Sequence, residues 1–262
     1  MKIWINILAV IVFIAAISVG KVYWNNKVSE QSVSRPTKVE ASSDASNAET
    51  PWKEHAQNLP KSIKTKIQKA EQTKKPLKLV IVGSAPQEEV NATWSQLLKK
   101  EIEDTYGSSL IHVDVREYKN MTTLQFIKSD AYKEVAKANP DVLLFEPFLL
   151  NDNGVVGIEN TLDNVNIILT YLERQNEQLI TILQPSAPVY KANNYPFDAK
   201  ALEEFAKENG YEYINHWKAW PDYQSEKISA YLTQAPGQPN DKGEQLWAQY
   251  LEHYFTNSTS NQ

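Results

Sequence analysis

Lys78-Leu79-Val80-Ile81-Val82-Gly83-Ser84-Ala85 is the stretch whose reading decides the fold. Four apolar residues in succession, three of them β-branched, read as a strand covered on both faces, as in a parallel sheet. The run stops at Gly83-Ser84, and a helical pattern follows from about Val90. A small hydroxyl residue just past the end of a first buried strand is where an open α/β sheet places its chemistry. Ser84 is therefore a candidate nucleophile; the alternative is a turn former or the cap of the next helix.

Downstream, strand-like and helical runs alternate. The strands are Leu79–Gly83, Leu110–Glu117, Val142–Glu146, Leu179–Gln184 and Tyr211–Asn215. The helices are about Glu89–Thr105, Thr123–Ala138, Leu162–Gln175, Asp198–Asn209 and Asp241–Phe255. Five βα units predict a parallel sheet with helices on both faces. In the second strand Ile111, Val113 and Val115 alternate with His112, Asp114 and Arg116, the pattern of an edge. The third, Val142-Leu143-Leu144-Phe145, is apolar throughout and hence central. A three-layer α/β/α, flavodoxin-like sheet of five parallel strands in the order 2-1-3-4-5 fits this pattern.

Upstream, residues 3–20 are eighteen residues in which only Asn6 and Ser18 are polar, with Tyr23 and Trp24 behind them. That length suits a membrane span, and the aromatic pair suits its interface. A cleaved signal peptide is the alternative for residues 1–24, with Ala16-x-Ser18 as its cleavage site. Residues 25–50 have the composition of a polar linker. Residues 51–76 read as a helical stalk with an apolar stripe of Trp52, Leu59, Ile63, Ile67 and Ala70. Six lysines lie between Lys61 and Lys75 against one acid, Glu71. They form a solvated face or, as the sharper alternative, one drawn to an anionic surface. An exported domain on a membrane tether is the expected arrangement.

The chain has 262 residues, 42% of them hydrophobic, enough for a substantial core, and no cysteine, which excludes disulfides and thiolate metal sites. Residues 78–262 carry 15 Lys+Arg against 26 Asp+Glu, a net charge of −11, which argues against nucleic acid as partner. No cofactor or metal motif is present.

Loops after the strands converge on one rim. They contribute Gly83-Ser84-Ala85-Pro86, Tyr118 to Thr122 with Asn120, Glu146-Pro147 through Asn151-Asp152-Asn153-Gly154, Gln184 to Tyr190, His216-Trp217, and Gln234 to Asp241. Asn120, Glu146, Asp152, Gln184, Gln238 and Asn240 are candidate substrate-binding residues on that rim. Glu146 ends an apolar strand, so burial raises its pKa; it serves either as an acid or base or as an acceptor of loop N–H bonds. The Asn151–Gly154 run lacks the alternating carboxylates of a calcium loop.

Three of these blocks resemble the SGNH, or GDSL-type, hydrolases. Val82-Gly83-Ser84 is similar to that family's first block, Asn151-Asp152 to its Gly-x-Asn-Asp block, and Gln238-Pro239-Asn240-Asp241-Lys242-Gly243 to the end of its Asp-x-x-His-Pro-Asn block. The resemblance spans about Leu77 to Phe255, so residues 77–257 form the hydrolase-like domain and 258–262 a tail. Glu146-Pro147-Phe148 through Gly154 and Asn215-His216-Trp217 through Asp222 look like a membrane-anchored branch from Gram-positive bacteria. The resemblance implies an ester hydrolase with Ser84 as nucleophile and Asn151 at the oxyanion, acting on acyl esters of cell-wall or surface glycans outside the membrane. The family's histidine position holds Gln238 and its aspartate position Ala235. Without that base the frame also suits a lapsed enzyme that binds a surface glycan or a partner protein. Of four histidines only His216 follows a strand; it is either a relocated base or a core histidine beside Trp217. Glu244, on the last helix, is a further group that could be pressed into that role.

Overall fold

The structure is a computed structural model and describes residues 51–258. In chain order, α1 (Trp52–His55) and α2 (Lys61–Thr73) precede β1 (Leu77–Ala85), α3 (Trp94–Tyr106) and β2 (Ile111–Lys119). Then come α4 (Thr123–Lys128), α5 (Ala131–Lys137), β3 (Val142–Phe145), α6 (Leu149–Asp152) and α7 (Ile158–Gln175). The chain continues through β4 (Ile180–Leu183), α8 (Tyr195–Asn209), β5 (Glu212–Tyr213), 3-10 turns at His216–Ala219 and Glu226–Tyr231, and α9 (Asp241–Thr256). The five strands form one sheet in the order β2-β1-β3-β4-β5, each pair parallel.

Alternation along the central strands divides the core. Leu77, Leu79, Ile81, Val142, Leu144 and Ile182 face one side, among Trp94, Leu98, Ile102, Trp247 and Leu251 of α3 and α9. Val80, Val82, Leu143, Phe145 and Leu183 face the other, among residues of α4 to α8. Each face is covered by helices, so the strands are apolar throughout, as in any doubly covered parallel sheet.

The structure corrects one domain boundary. Trp52, Leu59, Ile63, Ile67 and Ala70 are buried in the same core as β1 and α9. Residues 51–76 are therefore part of the domain's helical layer and not a separate stalk. Their stripe is the one read from the sequence; its partner is the sheet. The predicted helix over Thr123–Ala138 is two helices, because Asp130 adopts a left-handed φ of 59° and breaks the hydrogen-bond ladder. The helix expected from Glu89 begins at Trp94, where Thr93 and Gln96 form a capping box. The expected segments 1–24, 25–50 and most of the tail lie outside the described residues. No described helix is long and apolar enough to cross a membrane.

Candidate functional site

Two adjoining spaces lie at the carboxyl ends of the strands. The inner one is a cavity of about 30 Å³ lined by Ser84, Glu146, Asn151, Ser186, Gln238 and Glu244, with Trp94 and Trp247 among its walls. It has room for one or two water molecules. The outer one is an open cleft of about 660 Å³ that shares Leu150, Asn151 and Gln238 with the cavity.

Ser84 lies within β1, paired with Tyr118 of β2, so it is neither a turn former nor a helix cap. Its N–H donates to Glu146 Oε2 at 2.7 Å. Its Oγ is buried and makes no hydrogen bond to any described group. Gly83, one residue earlier, permits the crowding: a Cβ there would stand 3.2 Å from the Trp94 ring and 3.4 Å from Glu146.

Glu146 follows β3 directly and is 1% exposed. Besides Ser84, the Ser186 hydroxyl donates to its Oε1. Burial drives its pKa upward, and the bonds from Ser186, Ser84 and the Leu149 N–H offset part of that shift. This carboxyl therefore sits on the Ser84 N–H, the donor that an oxyanion would need. The other expected oxyanion donor, the Asn151 amide, donates to the Met121 carbonyl at 2.8 Å. Both donors are engaged within the protein.

His216 is not a relocated base. It is fully buried and stacks flat on Trp247, with ring centroids 4.1 Å apart and 6° between planes. The Trp220 indole N–H, which can only donate, lies 3.1 Å from its Nδ1. Nδ1 is thus the acceptor, and the ring proton on Nε2 goes to the Pro185 carbonyl at 3.0 Å. Burial lowers its pKa to about 3, with the bonds to residues 185 and 186 opposing. The imidazole is neutral and has no lone pair to spare for a serine proton.

Three other expected contact residues are structural. Asp152 is buried and accepts bonds from the Thr123 N–H, the Thr123 hydroxyl and the Thr161 hydroxyl, tying α4, α6 and α7 together. Gln184 is fully buried and accepts the Trp247 indole N–H at 3.0 Å. Asn240 caps α9 through the N–H groups of Lys242 and Gly243 and donates to the carbonyls of Ala230 and Leu232. None of the three lines the cleft or the cavity. Asn120 lines the cleft, and Gln238 lines both spaces and accepts the Gln87 N–H at 3.3 Å.

Glu244 is the titratable group for which the sequence offered least. One turn into α9, its carboxylate accepts the Trp94 N–H at 2.7 Å, at the positive end of α3. Burial, with help from Glu117 and Asp241, raises its pKa to about 8 against the effect of that bond. At pH 7 it is mostly protonated, a poor base and a competent donor.

The outer cleft has a different character. Its walls carry Gln87, Asn120, Asn151, Asn153, Asn193, Asn194 and Gln238, together with Thr122, Tyr195, Leu150, Val155 and Val189. Among the described residues that line it, none is charged, in a chain where 23% of residues are. The sequence signal for Asn193-Asn194 was their tandem position in the loop that follows β4. Their convergence with Gln87, more than a hundred residues earlier, needs the fold.

No protein-family model matches the sequence, and none of the curated proteins matches it. Solved structures do match. One is a protein assigned to the G-D-S-L lipolytic family from Desulfitobacterium hafniense, 17% identical, TM-score 0.54, covering 68% of this chain and 98% of that one. Another is a carbohydrate esterase family 3 protein from Talaromyces cellulolyticus, 13% identical, TM-score 0.56, covering 67% and 94%. A third is a GDSL-like lipase from Bacteroides thetaiotaomicron, 13% identical, TM-score 0.52, covering 73% and 96%. With its five parallel strands in the order 2-1-3-4-5 between two helical layers, the chain has the fold of the SGNH, or GDSL-type, hydrolases.

Proposed function

We propose that this domain, exported and held at the membrane by its N-terminal apolar segment, binds a neutral surface glycan in the carboxamide cleft. The observation that carries this reading is the lining of that cleft: seven carboxamides, the Thr122 hydroxyl and the Tyr195 phenol, with no charged residue. Asn151, Asn153 and Gln238 already bond to Met121, Asp198 and Gln87 within the protein. The side chains of Gln87, Asn120, Asn193 and Asn194 are left to offer a donor and an acceptor each, the complement of sugar hydroxyls, which are both. A cleft without charge favours a neutral polyol over an acid or an amine. One fold neighbour is a carbohydrate esterase, which supports a sugar as the ligand.

Acyl transfer by Ser84 is the second reading. Its Oγ is unpaired and lines the same cavity as Glu244. A carboxylate with a pKa near 8 would accept its proton only in mildly alkaline solution. At neutral pH the histidine is committed elsewhere and both oxyanion donors are occupied, so binding is the better-supported activity.

Two measurements on the full chain separate the readings. Calorimetric titration with an N-acetylglucosamine tetramer should show binding that Asn194→Ala weakens about tenfold, a loss of about 1.4 kcal/mol. Hydrolysis of p-nitrophenyl acetate should proceed at equal rates in the wild type and Ser84→Ala from pH 6 to 9. A Ser84-dependent rate that climbs through pH 8 would instead make the protein an esterase with Glu244 as base.

A further inference from the structure

A second concavity lies at the opposite end of the sheet, where the strands begin. It measures about 860 Å³ and is bounded by α2, the turn into β1, and the starts of β1, β3 and β4. Four lysines line it, Lys66, Lys69, Lys75 and Lys78, against a single acid, Asp141. They come from three places: Lys66 and Lys69 from α2, Lys75 from the turn, Lys78 from β1.

Asp141 does not balance them. One of its oxygens accepts the Lys78 backbone N–H at 2.9 Å, and the other lies 3.7 Å from Lys66 Nζ. Lys78 Nζ reaches only the Ala138 carbonyl, at 3.4 Å. Lys69 and Lys75 are exposed and form no ion pair among the described residues. Complementing the negative end of α2 accounts for Lys75 at most, which follows the C-cap Lys74, since the last turn of the helix itself carries no basic residue. The basic groove also stands apart from the rest of the domain, since residues 78–262 carry a net charge of −11.

We propose that this groove binds a linear phosphate-bearing polyanion, a chain of phosphodiester groups. Ammonium groups on flexible stems bind phosphate as point charges, and four of them spread over a helix, a turn and a strand suit a chain of separate anionic groups. The net charge of +3 calls for a ligand with several negative groups. A bilayer presents a plane, whereas the lysines here line a concavity with Ala70, Leu77 and Ile180 among its residues, a shape that admits a chain. The site is separate from the carboxamide cleft and does not depend on what that cleft binds.

The test is titration of the full chain in detergent with sodium tripolyphosphate, alongside the double variant K69E/K75E and the neutralised K69Q/K75Q. Both lysines are exposed, and an unchanged melting temperature checks that the variants fold. The expected result is saturable binding at 50 mM salt, weakened at least tenfold by K69E/K75E and less by K69Q/K75Q. Binding should also weaken at least fivefold at 300 mM salt. Absence of binding at millimolar tripolyphosphate in the wild type overturns the proposal, as does equal affinity in the wild type and the charge reversal. A third arm compares vesicles of phosphatidylglycerol with vesicles of phosphatidylcholine. Lysine-dependent preference for the anionic vesicles, without tripolyphosphate binding, would make the groove a membrane-facing surface and overturn the phosphodiester assignment.

Discussion

The two ends of the sheet differ in almost every property that matters for recognition. At the carboxyl end the cleft is uncharged, rich in amides, and stands beside buried carboxyls and stacked aromatic rings. At the amino end the groove is cationic and its lysines are mostly exposed. The contrast follows from how a parallel α/β sheet is wired. Loops leaving the carboxyl ends converge, those after β1 and β4 being the longest, so buried polar groups from several of them meet there. The amino ends are reached by short turns and helix ends, where charge is displayed on the surface. Fold and chemistry are separable: the sheet provides a place for a site at its carboxyl end, and the polar groups that meet there are Ser84, Glu146, Asn151, Ser186, Gln238 and Glu244.

The largest expected difference between the two ends is in stability. Trp247 lies between Trp94 and His216, and Trp247→Ala should cost about 3–5 kcal/mol in urea unfolding, because a large buried ring is lost from a packed core. Lys69→Ala, at the other end, should stay within about 0.5 kcal/mol. Similar losses for both would break the distinction between a buried floor and a displayed surface.

The next effect is pH-dependent. Glu244 has a pKa of about 8 in the folded domain against an ordinary 4.5, so the native state holds its proton more tightly than the unfolded chain. Its stabilising effect is complete below about pH 4.5 and is lost as pH rises through 8. Glu244→Gln should remove that slope. It should leave the protein more stable than wild type at pH 9, by an amount on the order of a few kcal/mol, and near equal at pH 5. Thermal melts across that range check it, and parallel curves would remove Glu244 from the account.

A smaller effect tests the charge contrast itself. Raising salt from 50 to 300 mM should leave glycan affinity in the carboxamide cleft within a factor of two, since no charge lines it. A strong salt dependence there would mean that the ligand is ionic. The smallest expected change in glycan affinity is that of Asn240→Asp. It keeps the α9 cap acceptor but loses the bonds to the Ala230 and Leu232 carbonyls, and so lowers the melting temperature. Asn240 does not line the cleft, so affinity should change by less than a factor of two.

The sheet was readable because its signal is local. Four apolar residues in a row and an alternating edge strand fix burial, and burial fixes strand order. The apolar stripe of residues 51–76 was equally plain, but a stripe does not name its partner. That the partner is the sheet face carrying Leu79 and Ile81 is a tertiary fact. The break at Asp130 depends on one left-handed residue inside a run that otherwise reads as helix. At the site, Ser84, Glu146, Asn151 and Gln238 were legible as strand-end and loop residues of a recognisable frame, and the structure brings them around one cavity. His216 was not legible. Its role is set by an indole donor four residues later and a carbonyl from another loop, and only their joint geometry removes its lone pair. Asp152, Gln184 and Asn240 looked like rim residues because polar side chains in loops serve equally well as internal clamps.

The stacked pair Trp94 and Trp247 also has an optical consequence. Two stacked, nearly parallel indoles with centroids 4.7 Å apart couple their transitions, and the pair lines the cavity that holds Ser84. Among the described residues it is the one indole–indole stack. The domain therefore carries an intrinsic chromophore in the wall of the Ser84 cavity, and an exciton band in circular dichroism would report any repacking of that cavity without a label.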